Sequence, residues 1–261
     1  MGNNNKLTLA ATALGSAISL AAVPAFADDW AFSVAPLYLW AKSVEGTSSA
    51  GGIEAPLDLD FQDDILENLE AAFSIHAEAT NGTITFFAEY NYAKLKPSNR
   101  TEVGPVEVRS DIDFRDVMIE GGLGWTLVSS DSGTWELLGG LRYIEQDMTV
   151  KFSNSLPGDS SLFDRLELGD SWTHPFAGVR YTSVINKCWR FRVRGDFGYG
   201  GSDNRAFHAI GLFDYQFRDW GSAFAGYRYL STYFANGKDG LSQYGFDGDQ
   251  QGPVLGVNFY F

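Results

Sequence analysis

Ten segments of this chain alternate apolar and polar side chains at every second residue, at about 30–42, 69–79, 83–94, 111–127, 135–150, 172–183, 189–199, 206–217, 222–234 and 251–261. A period of two belongs to the β-strand, whose successive side chains point to opposite faces. The connections fall into two classes. Asn81-Gly82, "SSDSG", "INKC" and "RDWG" are tight turns, whereas 43–68, 95–110, 153–171 and 235–250 are long and 200–205 is shorter. Tight and long connections alternate along the chain. The loops of a soluble sandwich are independent and have no reason to alternate. A membrane barrel has tight turns at one rim, longer loops at the other and an even strand number. The pattern therefore predicts an all-β fold, a transmembrane antiparallel up-and-down β-barrel of about ten strands, with eight or twelve as alternatives. Both termini then lie on the tight-turn side.

The stretch "WRFRVRGDFGY" (Trp189–Tyr199) shows which face meets what. Arg190, Arg192 and Arg194 occupy one face, and Trp189, Phe191, Val193, Phe197 and Tyr199 the other. An arginine on the lipid side near the bilayer midplane costs about 2–4 kcal/mol, so three in one strand face inward. Ten residue steps at about 3.3 Å, tilted by roughly 40°, project to about 25 Å, the height of an apolar membrane band. Trp30, Trp125, Trp135, Trp189 and Trp220 fall beside tight turns or the N-terminus, and Trp40 and Trp172 at the opposite strand ends. Indole rings favour the headgroup level, so two aromatic girdles are expected.

Extending the two-residue period to the other strands gives an ionic interior. The candidate lumen-lining residues, which would line a pore or form a plug, are Glu78, Glu89, Asp116, Glu120, Arg142, Arg180, Arg190, Arg192, Arg194 and Arg228. His76, Asn91, Glu136, Asp196, His208 and Asp214 share their face. Carboxylates crowd the second to fifth strands and arginines the fifth to seventh and the ninth. A barrel of this size is narrow enough for the two sets to meet, Arg190, Arg192 and Arg194 opposite carboxylates such as Glu89, Asp116 and Glu120. Two outcomes stay open: a salt-bridged plug, or a narrow pore for small polar solutes or ions. In the longest loop Phe61, Ile65, Leu66 and Leu69 fit one helical face. Either a short helix capping the mouth or an acidic solvated loop is expected there.

Ser74, His76 and Glu78 carry the residue types of a nucleophile, base and acid. Residues two apart on a strand stand about 6.6 Å apart with parallel side chains, against the hydrogen-bond contact that a triad needs. No catalytic residue, metal ligand or cofactor is therefore assigned. The net charge of −14 disfavours nucleic acid as a partner. Cys188 is the sole cysteine, so no intramolecular disulfide forms.

The ends of the chain speak to location. Lys6, the mostly apolar run Leu7–Val23 and Ala25-Phe26-Ala27 read as an export signal over residues 1–27, leaving 28–261 as the barrel domain. The closing "GPVLGVNFYF" alternates to Phe261. This segment, "AGYRYLSTYF" (Ala225–Phe234) and "DFGYGGSDNRAF" (Asp196–Phe207) resemble a broad group of small Gram-negative outer-membrane β-barrel proteins over the C-terminal third. The resemblance implies an outer-membrane location after passage through the periplasm. It also implies contact with outer-membrane lipids and lipopolysaccharide, and recognition by the barrel assembly machinery. It carries no substrate. An outer-membrane enzyme acting on lipid or peptide is the alternative to a structural or narrow-pore barrel.

Overall fold

A computed structural model describes residues 30–103, 106–154 and 165–261; the expected export signal, 1–27, lies outside the described residues. The strands are β1 (Ala31–Trp40), β2 (Ser43–Ala50), β3 (Ile53–Leu59), β4 (Leu69–Thr80), β5 (Ile84–Leu95), β6 (Ser98–Val103), β7 (Val106–Ser130), β8 (Gly133–Asn154), β9 (Arg165–Val184), β10 (Trp189–Gly201), β11 (Asn204–Arg218), β12 (Gly221–Ala235) and β13 (Tyr244–Tyr260). The antiparallel order β1-β4-β5-β7-β8-β9-β10-β11-β12-β13 closes through pairing of β13 with β1, giving a ten-stranded barrel. These are the ten strands read from the alternation. Closure removes the unpaired edge that an open sheet would present to lipid.

The tight rim is built by turn chemistry. Asn81 Oδ1 accepts hydrogen bonds from the backbone N–H groups of Thr83 (3.0 Å) and Ile84 (2.8 Å), while Gly82 takes φ 82°. Asn186 Oδ1 does the same for Cys188 (2.9 Å) and Trp189 (3.0 Å). An asparagine that bonds its own following backbone closes a turn without further support.

Outward residues Phe73, Phe86, Ile119, Leu123, Leu137, Leu141, Val179, Phe197, Phe207 and Phe213 are exposed around the wall. A continuous apolar belt of this kind is a lipid-facing surface. Val117 shares the outward parity but is buried, because its register neighbours Tyr92 and Glu145 flank it on the same face.

The structure corrects three expectations. The girdle at the tight rim is present, with Trp125, Trp135, Trp189 and Trp220 exposed, but Trp40 and Trp172 do not form a second one. Trp172 is 4% exposed and stacks on Phe234 at 4.3 Å, and Trp40 lies under Arg228. Both stand on the inward parity, two residues from Tyr38 and His174.

The long connections are also shorter than expected. Strand β13 begins at Tyr244, so 235–250 shrinks to 236–243, and β7, β8 and β9 run on to Val106, Asn154 and Arg165. Beyond the belt both faces meet water, and a strand there loses the polarity contrast that made it legible. The β10–β11 connection is only Ser202–Asp203, as tight as the turns at the other rim, so the alternation of short and long has this exception.

Finally, the short helix expected in 43–68 is confined to Phe61–Leu66, and the segment is not an open acidic loop. It is mostly the hairpin β2–β3, turning at Gly51-Gly52 with φ 61° and 81°, a hairpin signal present in the sequence. One helical turn, Phe61–Leu66, follows; Asp60 caps it through Gln62 (2.7 Å), Ile65 is buried and Leu66 exposed. The hairpin pairs with the outer part of β13, extending the wall past the belt.

Candidate functional site

Inside the barrel the alternation sets charged side chains from every part of the wall against one another. Glu120 (β7) and Arg142 (β8) are direct register partners. Arg142 donates through Nε to Glu120 (2.7 Å) and through Nη2 to Asp196 of β10 (2.9 Å), with all three side chains at 0% exposure. Arg194 reaches the same two carboxylates, at 2.6 Å to Glu120 and 2.8 Å to Asp196. His208 Nδ1 lies 2.8 Å from Asp196.

A second set crosses the lumen. Arg228 on β12 donates to Glu89 on β5, and Arg180 on β9 to Glu78 on β4 at 2.5 Å. Arg192 on β10 reaches the same Glu78 at 3.1 Å. In a closed order of ten strands, β10 and β4 are opposite walls. Arg180 also grips Glu136 twice, at 2.6 and 3.0 Å. Arg190 holds Asp214 at 2.8 Å and Tyr260 at 2.6 Å. Buried charges this dense persist only when each is paired and hydrogen-bonded.

Aromatic rings complete the filling. The Arg194 guanidinium lies 5.0 Å from the Phe87 centroid and 5.1 Å from that of Phe176, and Arg228 lies 4.5 Å from that of Trp40. Such stacking suits the planar, weakly hydrated arginine cation. Towards the long-loop rim the lumen turns apolar: Met118, Ile144, Trp172, Leu230, Tyr244 and Phe246 pack together. Towards the tight rim it opens into a cavity of about 70 Å³ bordered by Arg190, Arg192, Thr182, Asn258 and Tyr260.

The ten singled-out residues are therefore all inside, but their partners differ from those expected. Of the pairings named for the β10 arginines, only Arg194–Glu120 forms; Arg190 takes Asp214 and Arg192 takes Glu78. Asp116 is held by Lys42 and by Gln146 (3.1 Å), and Glu89 by Arg228 and His76 (3.1 Å). Lys42 was not singled out, although it continues the inward series Tyr38, Trp40, Lys42 just past the end of β1. His76 places Nδ1 on Glu89 and Nε2 on Glu78 at 3.2 Å, so neither ring nitrogen is left for Ser74.

No family model matches the sequence, and no curated protein does. Solved structures do resemble the fold. The outer membrane protease OmpT from Escherichia coli superposes with a TM-score of 0.52 at 8% identity, over 90% of this chain and 97% of that one. The translocator domain of the autotransporter NalP from Neisseria meningitidis gives 0.48 at 16% identity, over 88% of each chain. Identity this low speaks to architecture alone. With its closed ten-strand wall and apolar belt, the chain has the fold of a Gram-negative outer-membrane β-barrel.

Proposed function

We propose that this protein is a closed outer-membrane barrel, a structural scaffold whose lumen is sealed by its own side chains. The carrying observation is the set of hydrogen-bonded ion pairs between opposite walls, Arg228–Glu89, Arg180–Glu78 and Arg192–Glu78. A pore cannot pass between groups in hydrogen-bond contact, and the apolar cluster around Trp172 and Tyr244 closes the lumen again towards the long-loop rim. Its partners are outer-membrane lipids with lipopolysaccharide around the belt, and the barrel assembly machinery during insertion. The proposed role involves no catalysis: the one nucleophile–histidine–carboxylate set on a single strand face has its histidine committed to two carboxylates.

A narrow pore for small polar solutes or ions is the second reading, favoured by the cavity that already hollows the tight-rim half of the lumen. Planar-bilayer recording of the purified barrel separates the two. Silence is expected from a sealed scaffold, with steps appearing when Arg180 and Arg228 are both replaced by alanine. Unit conductance steps from the unaltered protein would sink the scaffold and favour the pore. Lipid A of altered mass in cells overproducing the protein would instead establish an enzyme.

A further inference from the structure

The interior arginines are not equally satisfied. Arg142, Arg180 and Arg194 each touch two carboxylates. Arg192 makes a single hydrogen bond among the described residues, Nη1 to Glu78 Oε1 at 3.1 Å. That oxygen also takes Arg180 Nη1 at 2.5 Å and lies 3.2 Å from His76 Nε2. One carboxylate oxygen thus serves three donors, and Arg192 has the longest arginine–carboxylate ion pair among the described residues. A guanidinium has five N–H donors in a rigid planar fork, so most of those of Arg192 have no partner among the described residues.

The side chain of Arg192 is 34% exposed and borders the 70 Å³ cavity at the tight rim. Thr182, its direct register partner on β9, borders the same cavity, as does Arg190. Asp214, which also borders the cavity, is already held by Arg190 at 2.8 Å and by the Ser222 hydroxyl at 2.6 Å. Glu78 and Glu89 border the cavity as well, Glu78 shared by Arg180, Arg192 and His76 and Glu89 held by Arg228 and His76, so every bordering carboxylate already has cationic partners. The bordering guanidiniums Arg180, Arg190, Arg192 and Arg194 outnumber the three carboxylates, and the unused N–H donors of Arg192 face the chamber with the Thr182 hydroxyl. One water occupies about 10–15 Å³ of such a volume, so the chamber holds several waters or one small ion with its remaining hydration.

We propose that this chamber is a binding site for a small soluble oxyanion, a phosphate or carboxylate group entering from the periplasmic rim. Two oxygens of the ligand take the free edge of the Arg192 fork, the bidentate geometry in which arginine binds such groups best. Thr182 donates its hydroxyl to the same group, and Arg190 adds charge. The site lies on one side of the cross-lumen seal, so occupancy requires no open channel and does not depend on conductance.

Titration calorimetry of the folded barrel in non-ionic micelles tests this, with sodium phosphate and sodium succinate as probes at ionic strength matched by sodium chloride. The expected result is saturable binding of one equivalent of either probe, weakened about tenfold or more in Arg192→Gln, the loss of one charge-assisted contact. Arg205→Gln, which removes an arginine from the outer wall, should leave the affinity unchanged. Heat of dilution alone for both probes, equal heats with chloride, or an affinity indifferent to Arg192→Gln would each overturn the site. Binding that appears only when phosphatidylglycerol is added to the micelles would overturn it too, by making the ligand a lipid headgroup.

Discussion

Glycines on the inward parity let the rings sit where they do. A Cβ at Gly122 would stand 2.7 Å from the Phe87 ring, and one at Gly140 would stand 2.6 Å from that of Phe176 and 2.3 Å from the Gly121 carbonyl oxygen. Those two rings bracket the Arg194 guanidinium, so the missing methyls and the buried charge belong to one arrangement. Gly140→Ala is expected to destabilise the barrel by about 1–3 kcal/mol through overpacking. Gly139→Ala, outward and with its nearest neighbour at 3.8 Å, should change little. The temperature at which the folded band converts to the unfolded one on unboiled gels compares them; equal shifts would mean the rings give way. Arg142→Ala removes one of the two guanidiniums that Glu120 and Asp196 share and leaves Arg194 alone between them, a loss that approaches the ~3–5 kcal/mol of a buried pair broken from one side. The same gels measure it, and a variant as stable as the parent would mean that water replaces the guanidinium. At this scale the sequence showed which side chains point inward, because parity is local. It did not show which of them meet. Arg192 finds Glu78 and not Glu89 because the tilt and stagger of the wall decide what height each strand brings opposite another, and neither is written in a two-residue period.

Strand β10 shows how much an element's two faces differ. Val193 is exposed to the belt between Arg192 and Arg194, which turn inward. Val193→Arg is expected to impair insertion by about 2–4 kcal/mol, the cost of a cation on the lipid face near mid-depth. Arg192→Ala should insert normally, since it gives up one long contact to an oxygen that keeps two other donors. Recovery of folded protein from the membrane fraction reads both, and a harmless Val193→Arg beside an uninserted Arg192→Ala would mean that the faces are reversed. Elements outside the belt were harder to read. The hairpin β2–β3 alternates weakly, because neither face meets lipid or a deep core, and only Gly51-Gly52 announces it. The wall also divides there. Pairing of β1 with β4 runs only from Ala31 to Ala35, and Pro36, which has no N–H to donate, follows. Beyond that point the chain continues along β13 as β2, with the short cross-connection Ala41–Lys42 carrying the lysine that holds Asp116. Pro36 thus ends the pairing with β4 within β1, and Lys42 lies just past the end of that strand.

For the whole molecule the orientation follows from the two rims. One carries Trp30 and Phe261, the exposed tryptophans and the turns at Asn81–Thr83, Asp131–Ser132, Ile185–Cys188 and Asp219–Trp220; the other carries the extended strands β7, β8 and β9 and the hairpin β2–β3. The extension is large: β7 has 25 residues, about 80 Å of strand, far more than a tilted crossing of the belt consumes. Barrels of this kind keep their tight turns in the periplasm and their long elements outside. The fold was legible because lipid on one face and buried charge on the other sharpen the alternation over each belt-spanning segment. The cross-lumen ion pairs were not, since they depend on contacts across strands that no local pattern links. Cys188 provides the test of orientation. It is exposed and lies in the Ile185–Cys188 turn, at the tight rim. A membrane-impermeant maleimide added to intact cells should leave it unlabelled, and the same reagent should react once the outer membrane is breached. A cysteine introduced at Ser202, in the turn at the opposite rim, should in a Cys188→Ser background give the reverse order, reacting from outside at once. Labelling of Cys188 on intact cells with protection of the Ser202→Cys variant would turn the barrel over, and would place the arginine chamber at the cell exterior.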